Sequence, residues 1–265
     1  MQVSIQRGDL PMRRINRKTI VVGIALALGF WGLSSSAQAD SVLTCQVAKA
    51  KAARSRATCL AREHEKKLQG KPFDFALCET KFDSAIAMAD TKAAAKGVAC
   101  RYIDNDDGTV SDLNTLLQWV KKVAGNSTSF DSRGVGNCLH CVNDTYLWNT
   151  AMGEWLSALN GRTNSTNAQS GFAGFEDWRI PTHLELQTIL LEPPPCGTSP
   201  CIDPVFGPTA AGPPIYWSST TRAALPADAW TVSFTEEVVG LPNVGLVNKS
   251  SSVVDVHVRA VRGGR

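Results

Sequence analysis

Apolar residues fall in two different rhythms along this 265-residue chain. Between residues 41 and 97 they recur at roughly helical spacing: Leu43, Val47, Leu60 and Leu68, then Phe75, Phe82, Ile86 and Ala89. That spacing lines one face of an α-helix. The intervening residues are rich in Ala, Lys, Arg and Glu, all good helix formers. GKPF at 70–73 interrupts the run, and Gly97 stands where a second helix can end. The pattern predicts a helical hairpin over residues 40–100. Beyond it the rhythm shortens. AWTVSF at 229–234 alternates, with Trp230, Val232 and Phe234 on one face, and VVDVHVRAV at 253–261 does the same with Val254, Val256, Val258 and Ala260. Alternation of this kind predicts strands. Two stretches keep the helical period. LWNTAMGEWLSALNG at 147–161 has a stripe of Met152, Trp155, Leu156 and Leu159 and a Gly161 stop. THLELQTILL at 182–191 opens with Thr182 and Glu185 in capping-box spacing. Short strands with two helices predict an α+β domain over residues 101–265.

The first 39 residues stand apart. A basic stretch, MRRINRK, precedes a 15-residue apolar run and then the small residues around Ala37 and Ala39. Basic, apolar, then A-x-A is the layout of a secretory signal peptide. The apolar run is short for a membrane span, which needs about 20 residues. Cleavage after Ala39 is expected, with an exported product, periplasmic or extracellular, that retains no transmembrane span. It also changes the charge. The leader holds five basic residues and one acidic, so its loss takes the formal charge from +3 to −1. The basic character belongs to the leader and is no argument for a nucleic-acid partner. What remains is polarised: residues 40–100 hold 11 basic and 7 acidic side chains, residues 101–265 hold 11 and 16. The hairpin is thus a candidate for docking another chain or an anionic surface.

All eight cysteines follow the leader. An even number in an exported chain predicts disulfides. Cys45 and Cys59 are close to four helical turns apart and share a face. Cys78 lies on the second helix and Cys100 just past it. A nested arrangement follows: Cys59 with Cys78 near the turn, Cys45 with Cys100 at the open end. Cys138 and Cys141, in CLHC, fit a local disulfide, half of a metal site or a redox pair. Cys196 and Cys201 bound a short Pro-rich loop and read as a further staple.

Candidate chemistry is sparse. DNDDGTV at 104–110 resembles a calcium loop, but Ile103 occupies the first ligand position and Asn114 the last, so the EF-hand pattern fails. A hairpin turn at Asp107-Gly108 is the better reading, with a calcium site of another kind as the alternative. The four histidines have no metal-ligand spacing, and no nucleophile elbow, phosphate loop or HExxH motif is present, so no catalytic, cofactor or metal set emerges. In GFEDWRIPTHLEL at 174–186, Asp177 and Arg179 either form a ligand edge or brace a helix against a sheet. Arg179 has the planar fork for a carboxylate, with Asp177 as its local candidate.

Six blocks carry a family resemblance: YIDNDDGTVSDLNT, YLWNTAMGEWLSALNG, GFAGFEDWRIPTHLELQTIL, YWSSTT, AWTVSF and HVRAVRGG. In this order, over residues 102–264, they resemble the Lcl C-terminal domain family, long catalogued as a domain of unknown function. The resemblance implies a C-type-lectin-like α+β fold, related to that of formylglycine-generating enzymes, in an exported bacterial protein. It implies non-catalytic recognition of a glycan or cell-envelope polymer. Alternatives are an envelope redox or metal-dependent enzyme using Cys138 and Cys141, and a structural protein docking through its basic hairpin. CLHC, PPPCGTSPC and TEEVVGLPNVGLVNKSSS depart from the family pattern, and such long loops often carry recognition.

Overall fold

A computed structural model describes residues 35–130, 134–161, 170–191, 200–210, 215–234, 244–251 and 256–264. The expected leader lies outside this set except for residues 35–39, which open the first helix.

That helix, α1 (Ser35–Leu68), and the next, α2 (Phe75–Ala94), form the hairpin. The Asp74 carboxylate caps α2 by accepting from the Leu77 amide at 2.9 Å. Cys45 is bonded to Cys100 and Cys59 to Cys78. The face that α1 turns toward α2 differs from the expected stripe. Leu43, Val47 and Leu68 are exposed at 59%, 44% and 77%. The inner face is instead Cys45, Lys49, Ala52, Arg56, Cys59 and Glu63, four and three residues apart in alternation. The two cysteines set the phase of the helix, and the charged positions between them are tolerated because each has a partner. Lys49 pairs with Asp90 at 2.5 Å, Arg56 with Glu79 at 2.7 Å, and Glu63 accepts from the Asp74 amide at 2.9 Å. On α2 the inward residues are Cys78, Phe82, Ile86, Ala89 and Ala93, as the spacing predicts.

Among the described residues the second half has eight short strands: β1 (Tyr102–Asp104), β2 (Thr109–Asp112), β3 (Leu117–Val120), β4 (Ile215–Thr221), β5 (Asp228–Ser233), β6 (Val244–Asn248), β7 (Val256–His257) and β8 (Val261–Gly263). They form two sheets, ordered β1-β2-β3-β8 and β6-β5-β4-β7. All pairings are antiparallel except β4 with β7. Between the sheets in sequence come α3 (Trp148–Thr150), a π-helical turn over Ala151–Trp155, α4 (Leu156–Leu159) and α5 (His183–Gln187). Thr182 and Glu185 form the reciprocal capping box at the start of α5.

The C-terminal run is not one strand. β7 belongs to one sheet and β8 to the other, and Val258–Ala260 cross between them. Val256, Val258 and Ala260 share a core with Trp155, Trp178 and Trp217. His257, Arg259 and Val261 are buried as well. A segment enclosed on both sides has no solvent face, so its alternation sorts residues between two interiors. The second interior holds Trp119, Phe206, Tyr216, Val232 and Phe234.

The hairpin docks on the first sheet through the loop after β2. Lys49 Nζ donates to Asn114 Oδ1 at 2.5 Å, Asn114 Nδ2 donates to Asp90 at 3.2 Å, and Gln46 donates to the Tyr102 carbonyl at 3.4 Å. Leu116 packs against Ala52, Phe82 and Ile86. Among the described residues, no helix is long and apolar enough to cross a membrane.

Candidate functional site

Asp177 and Arg179 flank the buried Trp178 in sequence, and each has a partner other than the other. The Arg179 guanidinium grips Glu185 with two bonds, of 2.7 and 2.6 Å, and reaches the Gly263 carbonyl at 3.3 Å. Its backbone bridges Val261 beside β8. Glu185 also accepts from the Thr182 amide at 2.8 Å. Burial raises the Glu185 pKa, but the Arg179 and Thr182 donors outweigh it and hold the carboxyl below its usual range. Asp177 pairs with Arg262 at 2.6 Å, which lowers its pKa, and Arg262 lies over the Phe175 ring at 3.7 Å. The expected Asp177–Arg179 pairing is therefore replaced by two pairs that tie the helix start and the preceding loop to the C-terminal strand.

The DNDDG segment makes the turn between β1 and β2. Asp104 pairs with Lys121, and the Asp107 carboxylate accepts from the Thr109 amide at 3.0 Å and from its hydroxyl. Asn105 donates to the hydroxyls of Thr109 and Ser111 at 2.9 and 3.0 Å. These groups are occupied in closing the hairpin. Among the described residues one trio has metal-ligand proximity, Cys45, Asp90 and Cys100, and both of its sulfurs are spent in a disulfide.

Cys138 and Cys141 are bonded to each other. Their loop is held from several sides. The Trp155 indole donates to the Leu139 carbonyl at 3.0 Å, the Val123 amide to the His140 carbonyl at 3.1 Å, and Lys122 Nζ to the Cys141 carbonyl at 3.3 Å. Cys141 is buried. Burial and the nearby Lys122 lower the His140 pKa. Cys201 is disulfide-bonded, and its expected partner, Cys196, lies outside the described residues.

A cleft of about 640 Å³ opens where the hairpin base, β1 and the segment after α5 meet. Ala99, Leu190, Leu191 and Val205 supply apolar walls, and Tyr102, Thr115, Thr188 and Asp203 supply polar groups. Arg101, at its rim, is committed elsewhere: it grips Asp112 at 3.1 and 2.8 Å and donates to the Thr188 carbonyl at 2.6 Å. Burial pushes the Tyr102 hydroxyl pKa well above its usual value, so the group stays a neutral donor. Its ring packs edge-on to Phe206 at 4.8 Å. Asp203 accepts from the Val205 amide at 2.9 Å through one oxygen. A concave, mainly apolar site with a few polar groups is the usual form of a small-ligand site.

Two buried cations complete the account. Arg259 is fully enclosed; its Nη1 donates to the Val120 and Phe206 carbonyls, both at 3.1 Å, while Nε and Nη2 meet no acceptor among the described residues. Desolvation lowers its pKa. Lys122 is also enclosed, and desolvation reinforced by Arg259 pushes its pKa down to about 7. Neither cation, nor the cleft residues Tyr102 and Asp203, stood out in the sequence. The one hint was Arg259 within an otherwise apolar alternation.

The sequence profile of the Lcl C-terminal domain matches residues 108–262, more than half of the chain. No curated protein and no solved structure matches significantly.

Proposed function

Since the chain belongs to the Lcl C-terminal domain family, we propose that it is an exported bacterial binding module with a C-type-lectin-like fold, recognising a glycan or cell-envelope polymer without catalysis. The observation that carries this reading is the cleft at the hairpin base. Sugars present hydroxyls for hydrogen bonding and C–H faces for apolar contact. Tyr102, Thr115, Thr188 and Asp203 meet the first need, and Leu190, Leu191 and Val205 the second. Arg101 is neutralised by Asp112, which leaves Asp203 as the charge in the cleft without an ion-pair partner among the described residues. An uncharged or amino-bearing saccharide suits that balance better than a sulfated one. Export fits the disulfides, which persist in oxidising compartments.

An envelope redox role for Cys138 and Cys141 is less well supported. A reactive cysteine needs exposure and an activated thiolate. Here Cys141 is buried and the loop is fixed by hydrogen bonds from Trp155 and from the adjacent pair Lys122 and Val123.

The test is an oligosaccharide array probed with the purified protein, with and without calcium, followed by Tyr102→Ala and Asp203→Asn. Binding to at least one neutral or amino saccharide is expected, weakened about tenfold or more by either substitution. No binding across the array, or binding indifferent to both substitutions, would remove the basis for this assignment.

A further inference from the structure

A guanidinium stands inside the largely apolar second interior. The Cζ of Arg259 lies 5.7 Å from the centre of the Phe206 ring and 5.8 Å from that of Tyr216. Two carbonyls accept from Nη1, but Nε and Nη2 are buried with no acceptor among the described residues. The Tyr216 hydroxyl is buried and without a partner as well, and it feels the charge of the guanidinium without a hydrogen bond to it. Trp119, in the same interior, has an indole N–H in the same condition. Guanidinium and indole N–H groups only donate. What these groups lack is an acceptor. The charge balance points the same way. Lys122, also enclosed, lies close enough to Arg259 for the two positive charges to disfavour one another. The carboxylate that acts on Lys122 is Asp144, which already accepts from the Ser127 amide at 2.7 Å and from the Ser127 hydroxyl. Among the described residues no carboxylate pairs with Arg259. A lysine can escape burial by losing its proton; an arginine keeps its charge and needs a counter-charge.

We propose that Arg259 holds a buried halide ion, chloride in saline surroundings, with Nε, Nη2 and the Tyr216 hydroxyl as its donors. A halide is a single-atom acceptor, so donors can converge on it from several directions without matching a fork of oxygens. Sulfate or phosphate brings four oxygens, and these donors would leave it under-satisfied in an enclosed site. Water could accept the same hydrogen bonds but would leave the charge uncompensated. The ion also offsets the repulsion between Arg259 and Lys122. Its role is structural. Arg259 belongs to the segment that crosses between the sheets, and Tyr216 to β4. An anion shared by the two fastens the crossing to the second sheet from inside the core.

Urea denaturation of the purified protein tests this, in sodium chloride, bromide or sulfate at low concentration, with sodium gluconate holding the ionic strength constant. Excluded salts such as sulfate stabilise folded proteins in general. A halide site reverses that order: the midpoint should be higher in chloride and bromide than in sulfate, and the gain should follow the saturating law of a bound ligand. Tyr216→Phe, which removes one donor and little volume, should weaken the apparent halide affinity about tenfold. Arg259→Met should abolish the halide dependence. Crystals grown in sodium bromide locate the ion, and an anomalous peak within hydrogen-bond reach of Arg259 Nε and Nη2 is expected. Should Arg259→Met fail to fold, the bromide position and Tyr216→Phe decide. A parent midpoint that follows the general salt order overturns the proposal, as does a halide gain unchanged in Tyr216→Phe. Density at Arg259 without anomalous signal overturns it too, and assigns the donors to water.

Discussion

Lys122 is the residue whose chemistry most constrains the protein's behaviour. Its ammonium is enclosed, donates to the Cys141 carbonyl, and has Arg259 for a neighbour, so burial favours the neutral amine. An unfolded lysine titrates near 10.5, and this one near 7. Between those values the unfolded chain binds the proton and the folded chain does not, so stability rises with pH across that window. Below about pH 7 the folded state holds a buried charge and the full penalty applies. Chemical denaturation should therefore show a gain on the order of a few kcal/mol from pH 7 to pH 10. Lys122→Met, which keeps the volume and removes the charge, should flatten that rise. An equal slope in parent and variant would locate the pH dependence elsewhere. Lys122 was hidden in the sequence because the stretch before it, LQWV, reads as a strand with a plain Lys-Lys exit. Nothing local shows that the connection to the CLHC loop folds back over the second lysine.

At the scale of elements, the hairpin and the first sheet are coupled by one polar junction. Lys49, with its side chain fully buried, holds both Asp90 on α2 and Asn114 on the loop after β2. Only the lysine of this pair is buried, the Asp90 side chain being 40% exposed; removing Asp90 leaves the enclosed ammonium without a counter-charge, which costs more than the pair contributes. Asp90→Ala should lower stability by roughly 3 kcal/mol, and Lys49→Met with Asp90→Ala should recover much of the loss; urea denaturation of both measures it. If the double variant is no better than the single one, the junction acts through packing rather than charge. The elements themselves were legible where local signals agree. Thr182 and Glu185 gave the start of α5, Asp107-Gly108 gave the first turn, and the cysteine spacing gave the phase of the hairpin. The stripe chosen for α1 was misread because Leu43, Val47 and Leu68 outrank Lys49 and Arg56 in hydrophobicity. The bridges at Cys45 and Cys59, on the same helix, override that ranking. The C-terminal run was read as one strand because alternation cannot tell a half-buried strand from a crossing buried on both sides.

At the scale of the whole molecule, the domain's fold class follows from its pattern of short strands and helices, whereas the cleft does not. Its walls come from Ala99, Tyr102, Thr188 and Asp203, residues distant in sequence that converge only once the hairpin base and the segment after α5 are in place. The bridge between Cys45 and Cys100 closes that base, at a sequence separation of 55. Replacing both cysteines with serine frees the open end of the hairpin and should lower stability by about 2–4 kcal/mol, read as a shift in the denaturation midpoint. An unchanged midpoint would mean that the Lys49 junction alone fixes the base. The bridge also decides where mechanical load travels. Tension entering at the N-terminus passes from Cys45 across the sulfur link to Cys100 and directly into Arg101 and the sheet. The helices between those cysteines hang beside the load path as an unloaded arm. An external pull can therefore leave the arm's outward face undistorted, unless a reductant severs the link and inserts the whole hairpin into the line of force.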